Sequence, residues 1–178
     1  PLSFTRDMVL KSALLYIDED ARFHTLVQDR NAVQRIAPLL EAAMVDIQRA
    51  WKQLVVILKD ECRIQSPRFF RQASNAILPF VVYLAHNPHC DRVQHHRIVA
   101  GLYMALMSGV FGSAEARTGS FARKHCGKGD FPLAKLAKLV GGVRWVFNLD
   151  ALLSQDLDLT LNIAHGGITL DGNPDALE

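Results

Sequence analysis

The sequence predicts a mainly α-helical, bundle-like domain. Nearly half of the 178 residues are hydrophobic, and apolar residues recur at spacings of three and four along most of the chain, as in amphipathic helices. Alternating apolar and polar residues, which are typical of strands, occur only near the end. Because a chain of this size and apolar content can bury one sizeable core, we expect residues 1–178 to form a single helical domain.

The first third of the chain predicts successive amphipathic helices. Residues 4–17 place apolar side chains among charged ones at near-helical spacing, and a shorter segment follows at residues 23–27. The longest helical pattern runs from Ala32 or Pro38 to about residue 62, with Asn31 as its expected N-cap. Proline is tolerated best in a first helical turn, so Pro38 marks either the start of this helix or a kink within it.

The middle of the chain continues the helical pattern between prolines and glycines. Pro79 is expected to begin or bend a helix, and Asp91 is the expected N-cap of the following one. That helix has almost no polar face over residues 99–107, which predicts a buried, central position. A turn at Gly109, where glycine permits positive φ, separates it from a basic helix, and residues 131–140 form a further short helix.

The last segment of the chain differs in its pattern. Between residues 157 and 163, leucine or isoleucine alternates with polar residues, and Gly166-Gly167 offers a turn before Ile168. A small β-hairpin near the C-terminus fits this pattern, although a helical turn fits it nearly as well.

Charge is distributed unevenly along the chain, although the net charge is only +2. Residues 61–144 carry twelve basic and four acidic residues, whereas residues 145–178 carry six acidic residues and no Lys or Arg. A basic middle attracts phosphate-bearing partners, and it can equally meet an acidic protein or the chain's own acidic C-terminal segment. The candidates for contact with the DNA backbone are Arg92, Arg97, Arg117, Arg123, Lys124 and Lys128.

Several classes of protein do not fit the sequence. Its three cysteines are widely spaced and lack a CxxC pair, which indicates reduced thiols in a cytoplasmic protein. Charged residues interrupt every hydrophobic stretch, so we expect no membrane span and no membrane partner. The first residues lack the charged and apolar regions of a secretory signal.

Neither metal chemistry nor covalent catalysis has a specific motif. Five potential metal ligands lie within residues 86–96, but they lack the paired spacing of a zinc site, and adjacent histidines on a helix point in different directions. A metal-dependent hydrolase is therefore the least favoured hypothesis. Gly127-Lys128-Gly129 is not a P-loop, because Ser or Thr does not follow the lysine, and no nucleophile elbow is present. We expect no catalytic residue, metal or cofactor in this chain.

Two short motifs carry a resemblance to a known family. Residues 75–84 read NAILPFVVYL and residues 108–117 read SGVFGSAEAR, and a long helix with a central Trp51 precedes them. This order of features resembles the helical region of the ParB/sulfiredoxin-like, DGQQR-motif family, which includes the GmrSD-type modification-dependent restriction proteins. The family has Arg-Tyr where this chain has Val110-Phe111, so the turn lacks the charge and the hydroxyl group of the family's motif. The residues that form the turn of this motif in the present chain are Gly109, Phe111, Gly112 and Ser113.

The resemblance implies that the chain is one piece of a larger protein. The family's nucleotide-binding and catalytic residues belong to a domain with the DGQQR motif, and many members carry a separate HNH-type nuclease domain; neither motif occurs in this sequence. We therefore expect a non-catalytic helical module of a restriction-type defence protein, which supports a nucleotide-dependent nuclease domain of the same polypeptide and contacts DNA. The alternative is a protein-interaction scaffold whose basic face binds an acidic partner. The sequence does not indicate an oligomeric state.

Overall fold

The computed structural model describes residues 4–17, 30–62, 64, 74–111 and 115–141. Six α-helices and no strand occur within these residues, which confirms the prediction of a mainly α-helical fold. The predicted hairpin, the segment at residues 23–27, and the turn residues Gly112 and Ser113 lie outside the described part of the chain.

The helices follow one another in chain order. They are α1 (Arg6–Tyr16), α2 (Arg30–Val56), α3 (Leu78–His86), α4 (Arg92–Ser108), α5 (Glu115–His125) and α6 (Leu133–Val140). A π-helical turn, Ile57–Glu61, extends α2, and a 3-10 turn, Ser74–Ile77, leads into α3. None of the helices in the described ranges is both long and apolar enough to cross a membrane.

Side-chain caps and glycines fix several helix ends as the sequence predicts. The carboxylate of Asp91 accepts a hydrogen bond of 2.8 Å from the backbone N–H of Gln94, which confirms Asp91 as the N-cap of α4. Gly109 ends the same helix in the left-handed conformation, at φ 60°. Pro79 lies in the first turn of α3, where its missing N–H costs no helical hydrogen bond.

The predicted start of α2 is wrong. This helix begins at Arg30, so Asn31 lies inside it rather than at its N-cap, and Pro38 lies well within the helix. Ile36 and Ala43, on either side of Pro38, are both buried. Tertiary packing on both sides of the proline therefore outweighs the local cost of the hydrogen bond that the proline removes.

The helix at the centre of the fold is α3, not α4. Every side chain from Leu78 to Ala85 is buried, because α1, α2 and α5 all pack against this short helix. In α4, Ile98 and Leu102 are buried but Tyr103 is only partly so. A helix that is apolar on nearly every side can thus still lie at the edge of the core, since its neighbours and not its composition decide how much of it is covered.

The loop between α5 and α6 is joined to the core by one aromatic side chain. Phe131 is 3% exposed and stacks on Phe80 of α3, with ring centroids 5.2 Å apart. It also meets the Tyr83 ring edge-on at 5.1 Å. Gly101 of α4 makes room for it, because a Cβ atom there would lie 2.7 Å from the Phe131 ring. The small residue in α4 is therefore required by the loop that crosses it.

Candidate anion-binding cleft

A cleft of about 550 Å³ brings two of the predicted phosphate-binding residues together. Arg97 of α4 and Lys124 of α5 both line it, and so does Lys135 of α6. Residues 131–134 supply most of its apolar lining. The cleft therefore combines cationic side chains from three helices with apolar residues, and ligand sites in proteins are commonly lined by apolar side chains with a few charged or polar groups.

Asp130 is the one acidic residue among the described residues that line the cleft, and two hydrogen bonds hold its carboxylate in place. Asp130 accepts a hydrogen bond from Arg97 at 2.6 Å through Oδ2 and one from the Gln94 amide at 2.7 Å through Oδ1. The pair orients Arg97 while offsetting its charge. Within the described residues no carboxylate pairs with Lys124 or Lys135, both of which are exposed. Counted over the described residues that line it, the cleft therefore has an excess of positive charge.

The loop of residues 126–132, which forms one wall of the cleft, is held by a set of polar side chains that we call the loop clamp: Tyr83, Asn87 and Gln94. Asn87 bonds both sides of the loop tip, donating to the carbonyl of Gly127 at 2.9 Å and accepting from the N–H of Gly129 at 3.0 Å. The Tyr83 hydroxyl donates to the carbonyl of Gly129 at 2.8 Å. Gln94 accepts from the N–H of Phe131 at 2.8 Å. These bonds fix the backbone on which the cleft is built.

The clamp also affects the ionisation of its phenol. Burial is the largest cause that raises the pKa of Tyr83 above its usual range, followed by the neighbouring Cys90 thiol. Tyr83 therefore stays protonated, and its hydroxyl remains a donor to the loop, throughout the physiological pH range.

The other predicted phosphate-binding residues do not line the cleft. Arg92, in the first turn of α4, and Arg123 and Lys128 are exposed elsewhere on the surface. Arg117 donates a hydrogen bond of 3.2 Å to the carbonyl of Val110. It lies seven residues before Lys124 on α5, and hence on the same side of the helix, about 10 Å along the axis. The positive surface thus extends from the cleft along α5.

The turn that carries the family resemblance has a packing role in this structure. Phe111 is fully buried and packs against Phe121 of α5, with ring centroids 5.4 Å apart. Its carbonyl accepts a hydrogen bond from the hydroxyl of Thr118 at 3.4 Å. The turn that follows Gly109 is therefore held by side chains of α5, and the ring of Phe111 lies in the core.

The histidines of residues 86–96 do not converge on one point. The His86 ring packs against that of Tyr16 in a tilted arrangement, with ring centroids 4.5 Å apart. Burial, followed by the charge of Lys128, lowers the pKa of His86 below its usual value. His95 lies 3.0 Å from the Glu61 carboxylate, on the π-helical turn. Among the described residues, no three His, Cys, Asp or Glu side chains form a group that could hold a metal ion.

The sequence analysis missed three charged or titratable residues of the cleft: Lys135, His125 and Asp130. A weak signal existed for Lys135, because Lys135 and Lys138 are three apart and so share one side of the strongly amphipathic helix α6. Asp130 had no such signal, since its two hydrogen-bond partners, Gln94 and Arg97, lie more than thirty residues away in the chain.

Comparisons with protein-family models, with curated proteins and with solved structures give no match for this chain. What the cleft can bind follows from the residues that line it, among them Arg97, Lys124 and Lys135. Arginine and lysine bind phosphate and carboxylate oxygens, and the clamped loop holds the apolar surface beside them in one position.

Proposed function

We propose that this chain is a non-catalytic helical module that contacts the phosphate backbone of DNA. One observation carries the proposal: Arg97, Lys124 and Lys135, from three different helices, line one cleft, and Asp130 is the single acidic residue among the described residues that line it. A group of cationic side chains whose charge is not fully neutralised by carboxylates can bind phosphates. Each lysine that contacts a phosphate displaces the counterion that was condensed there, and the release of that ion favours binding. The place of this module in a restriction-type defence protein, beside a nuclease domain of the same polypeptide, rests on the resemblance of residues 75–84 and 108–117.

The test is the binding of a labelled DNA duplex, measured by fluorescence anisotropy from about 50 to 200 mM salt. We expect binding that weakens steeply with salt and depends little on base sequence, because phosphate contacts carry no sequence information. Replacing both Lys124 and Lys135 with alanine should weaken binding and lower the slope of log affinity against log salt by about two, one for each lost phosphate contact.

A matched control separates the cleft from the general charge of the protein. Lys52 of α2 and Lys59 of the π-helical turn are also exposed lysines, and neither lines the cleft. The double variant Lys52→Ala, Lys59→Ala removes the same charge and should leave the salt slope almost unchanged. Equal losses in both double variants, or no binding of duplex at low salt, would count against the proposal.

A protein-interaction scaffold is the second candidate function. The observation that favours it is the Asp130 carboxylate, which already binds Arg97 within the cleft at 2.6 Å. A cleft that accepts one carboxylate from its own chain can accept others from an acidic partner. Competition distinguishes the two functions: polyglutamate that displaces duplex DNA at equal concentration of charge would favour the scaffold, whereas DNA that resists it would favour backbone contact.

A further inference from the structure

We propose that the cleft selects an unpaired DNA strand over a duplex; this inference rests on the proposed contact with DNA. Its cationic side chains alone would suit either form, because both present phosphates. The apolar surface beside them distinguishes the two. Pro132 and Leu133 are half-buried and Ala134 is exposed, so the cleft that Lys124 and Lys135 line also offers apolar surface to a ligand.

A duplex cannot use this surface, since its bases are stacked inside the helix and its outside is phosphate, sugar and groove edges. An unpaired strand can turn the faces of its bases towards apolar side chains while its backbone follows the cations. Sites for single strands in proteins combine a positive groove with aromatic side chains on which bases stack. Here Phe131 is buried, and the aliphatic side chains of Pro132 and Leu133 take the place of the aromatic surface. The cleft places the cations and this apolar surface within one space of nucleotide size.

The apolar surface is fixed before any ligand arrives. The N–H of Phe131 is bonded to Gln94 at 2.8 Å, and its ring stacks on Phe80 at 5.2 Å and closely approaches Gly101. The residues that follow it, Pro132 and Leu133, therefore start from a clamped position at the beginning of α6. Because this part of the loop loses little conformational entropy when a ligand binds, even a modest apolar contact contributes to affinity.

The occupant that the charges favour is a polyanion. Lys124 and Lys135 are exposed, and among the described residues that line the cleft only Arg97 is paired with a carboxylate. An uncharged apolar peptide would leave these lysines without partners at the interface. An acidic peptide would meet the charges but would not present flat bases to Pro132 and Leu133, so its competition with a DNA strand is an outcome of the test.

The experiment compares a labelled oligodeoxythymidine with a duplex of equal length, using the whole chain in one buffer. The strand should bind at least about fivefold more tightly than the duplex, because burying the exposed apolar area of Pro132 and Leu133 against a base contributes about that factor. Leu133→Ser should weaken binding of the strand by about fivefold and leave binding of the duplex unchanged. A thermal melt of the variant confirms that it is folded.

A second variant does not depend on partly buried side chains. Ala134 is exposed at the cleft, so Ala134→Glu adds a carboxylate there without disturbing the core. Ala42 of α2 is also an exposed helical alanine, and Ala42→Glu adds the same charge away from the cleft. We expect Ala134→Glu to reduce binding of the strand by at least about tenfold, through repulsion and loss of apolar surface, and Ala42→Glu to reduce it far less.

Equal affinity for strand and duplex, with Leu133→Ser silent on both, would overturn this inference while leaving the proposed contact with DNA intact. Polyglutamate that competes as well as the strand at equal charge would also overturn it, because the cleft would then respond to charge alone. Absence of binding to either DNA at low salt would instead refute the proposed function. The two failures are therefore distinguishable in the same set of titrations.

Discussion

The interior around α3 and the loop of residues 126–132 are neighbours, but different forces hold them. From Leu78 to Ala85 the side chains of α3 are buried against three other helices, and most of their contacts are apolar. The loop is largely exposed from residue 127 to residue 130, and hydrogen bonds from the loop clamp hold its backbone. Burial fixes the first region, and directional polar bonds fix the second.

The difference between these two regions explains why a functional surface can lie on the loop and not on α3. Apolar packing is non-directional and roughly proportional to the area buried, so it stabilises the helices without placing any polar atom accurately. Hydrogen bonds have defined lengths and angles, so Asn87 and Gln94 can hold a surface loop in one conformation without covering it. The cleft is built on the loop because that region is both ordered and exposed.

Removing a core aromatic ring should have the largest effect. Phe80 is fully buried and stacks on Phe131, so Phe80→Ala creates a cavity and should lower the free energy of unfolding by about 3–5 kcal/mol. Urea denaturation followed by circular dichroism measures this. Val45 is 72% exposed, and Val45→Ala should change stability by less than about 0.5 kcal/mol. Similar losses in the two variants would contradict the view that burial holds α3.

Filling the junction between the two regions should have an intermediate effect. At Gly101 an added methyl would lie 2.7 Å from Phe131 and 3.0 Å from Phe80, so Gly101→Ala should cost about 1–3 kcal/mol of stability through overpacking. Gly127 is the control, because nothing lies within 4 Å of its Cβ position and its φ is not positive. Gly127→Ala should be neutral or slightly stabilising. The same denaturation curves decide between these outcomes.

Breaking the clamp should have the smallest effect on stability and the most local one on structure. Gln94→Ala removes the acceptor for the N–H of Phe131 and should cost about 1–2 kcal/mol. Amide hydrogen exchange should accelerate at Phe131, where the clamp has been removed. Gln48→Ala, at an exposed position of α2, is the matched control. If exchange at Phe131 stayed slow in Gln94→Ala, packing of its ring alone would hold the loop.

The helices and several of their ends could be predicted because their signals are local. The carboxylate of Asp91 needs only its own next three residues to cap α4, and Gly109 needs only its own backbone freedom to end it. Asn31 and Pro38 carried signals of the same kind, yet α2 continues past both. There the buried residues on either side of the proline outweighed the local preference.

The candidate site was predicted only in part, for the same reason. Arg97 and Lys124 were identified by their charge, but nothing in the sequence distinguished them from Arg92 or Arg123, which lie outside the cleft. Their convergence depends on how α4, α5 and α6 pack. A charge is visible in a sequence, whereas the distance between two charges on different helices is not.

The sequence by itself determined that this protein is helical, that its basic residues concentrate in the middle of the chain, and where glycine and aspartate end or begin its helices. Only the tertiary structure decided that α3 lies at the centre and that Lys135 lines the same cleft as Arg97 and Lys124. It also decided that hydrogen bonds from Asn87 and Gln94 hold the loop of residues 126–132. Helical periodicity and capping act over a few neighbouring residues. The cleft and its clamp depend on bonds and contacts between residues about thirty to forty positions apart, which form only when the helices pack.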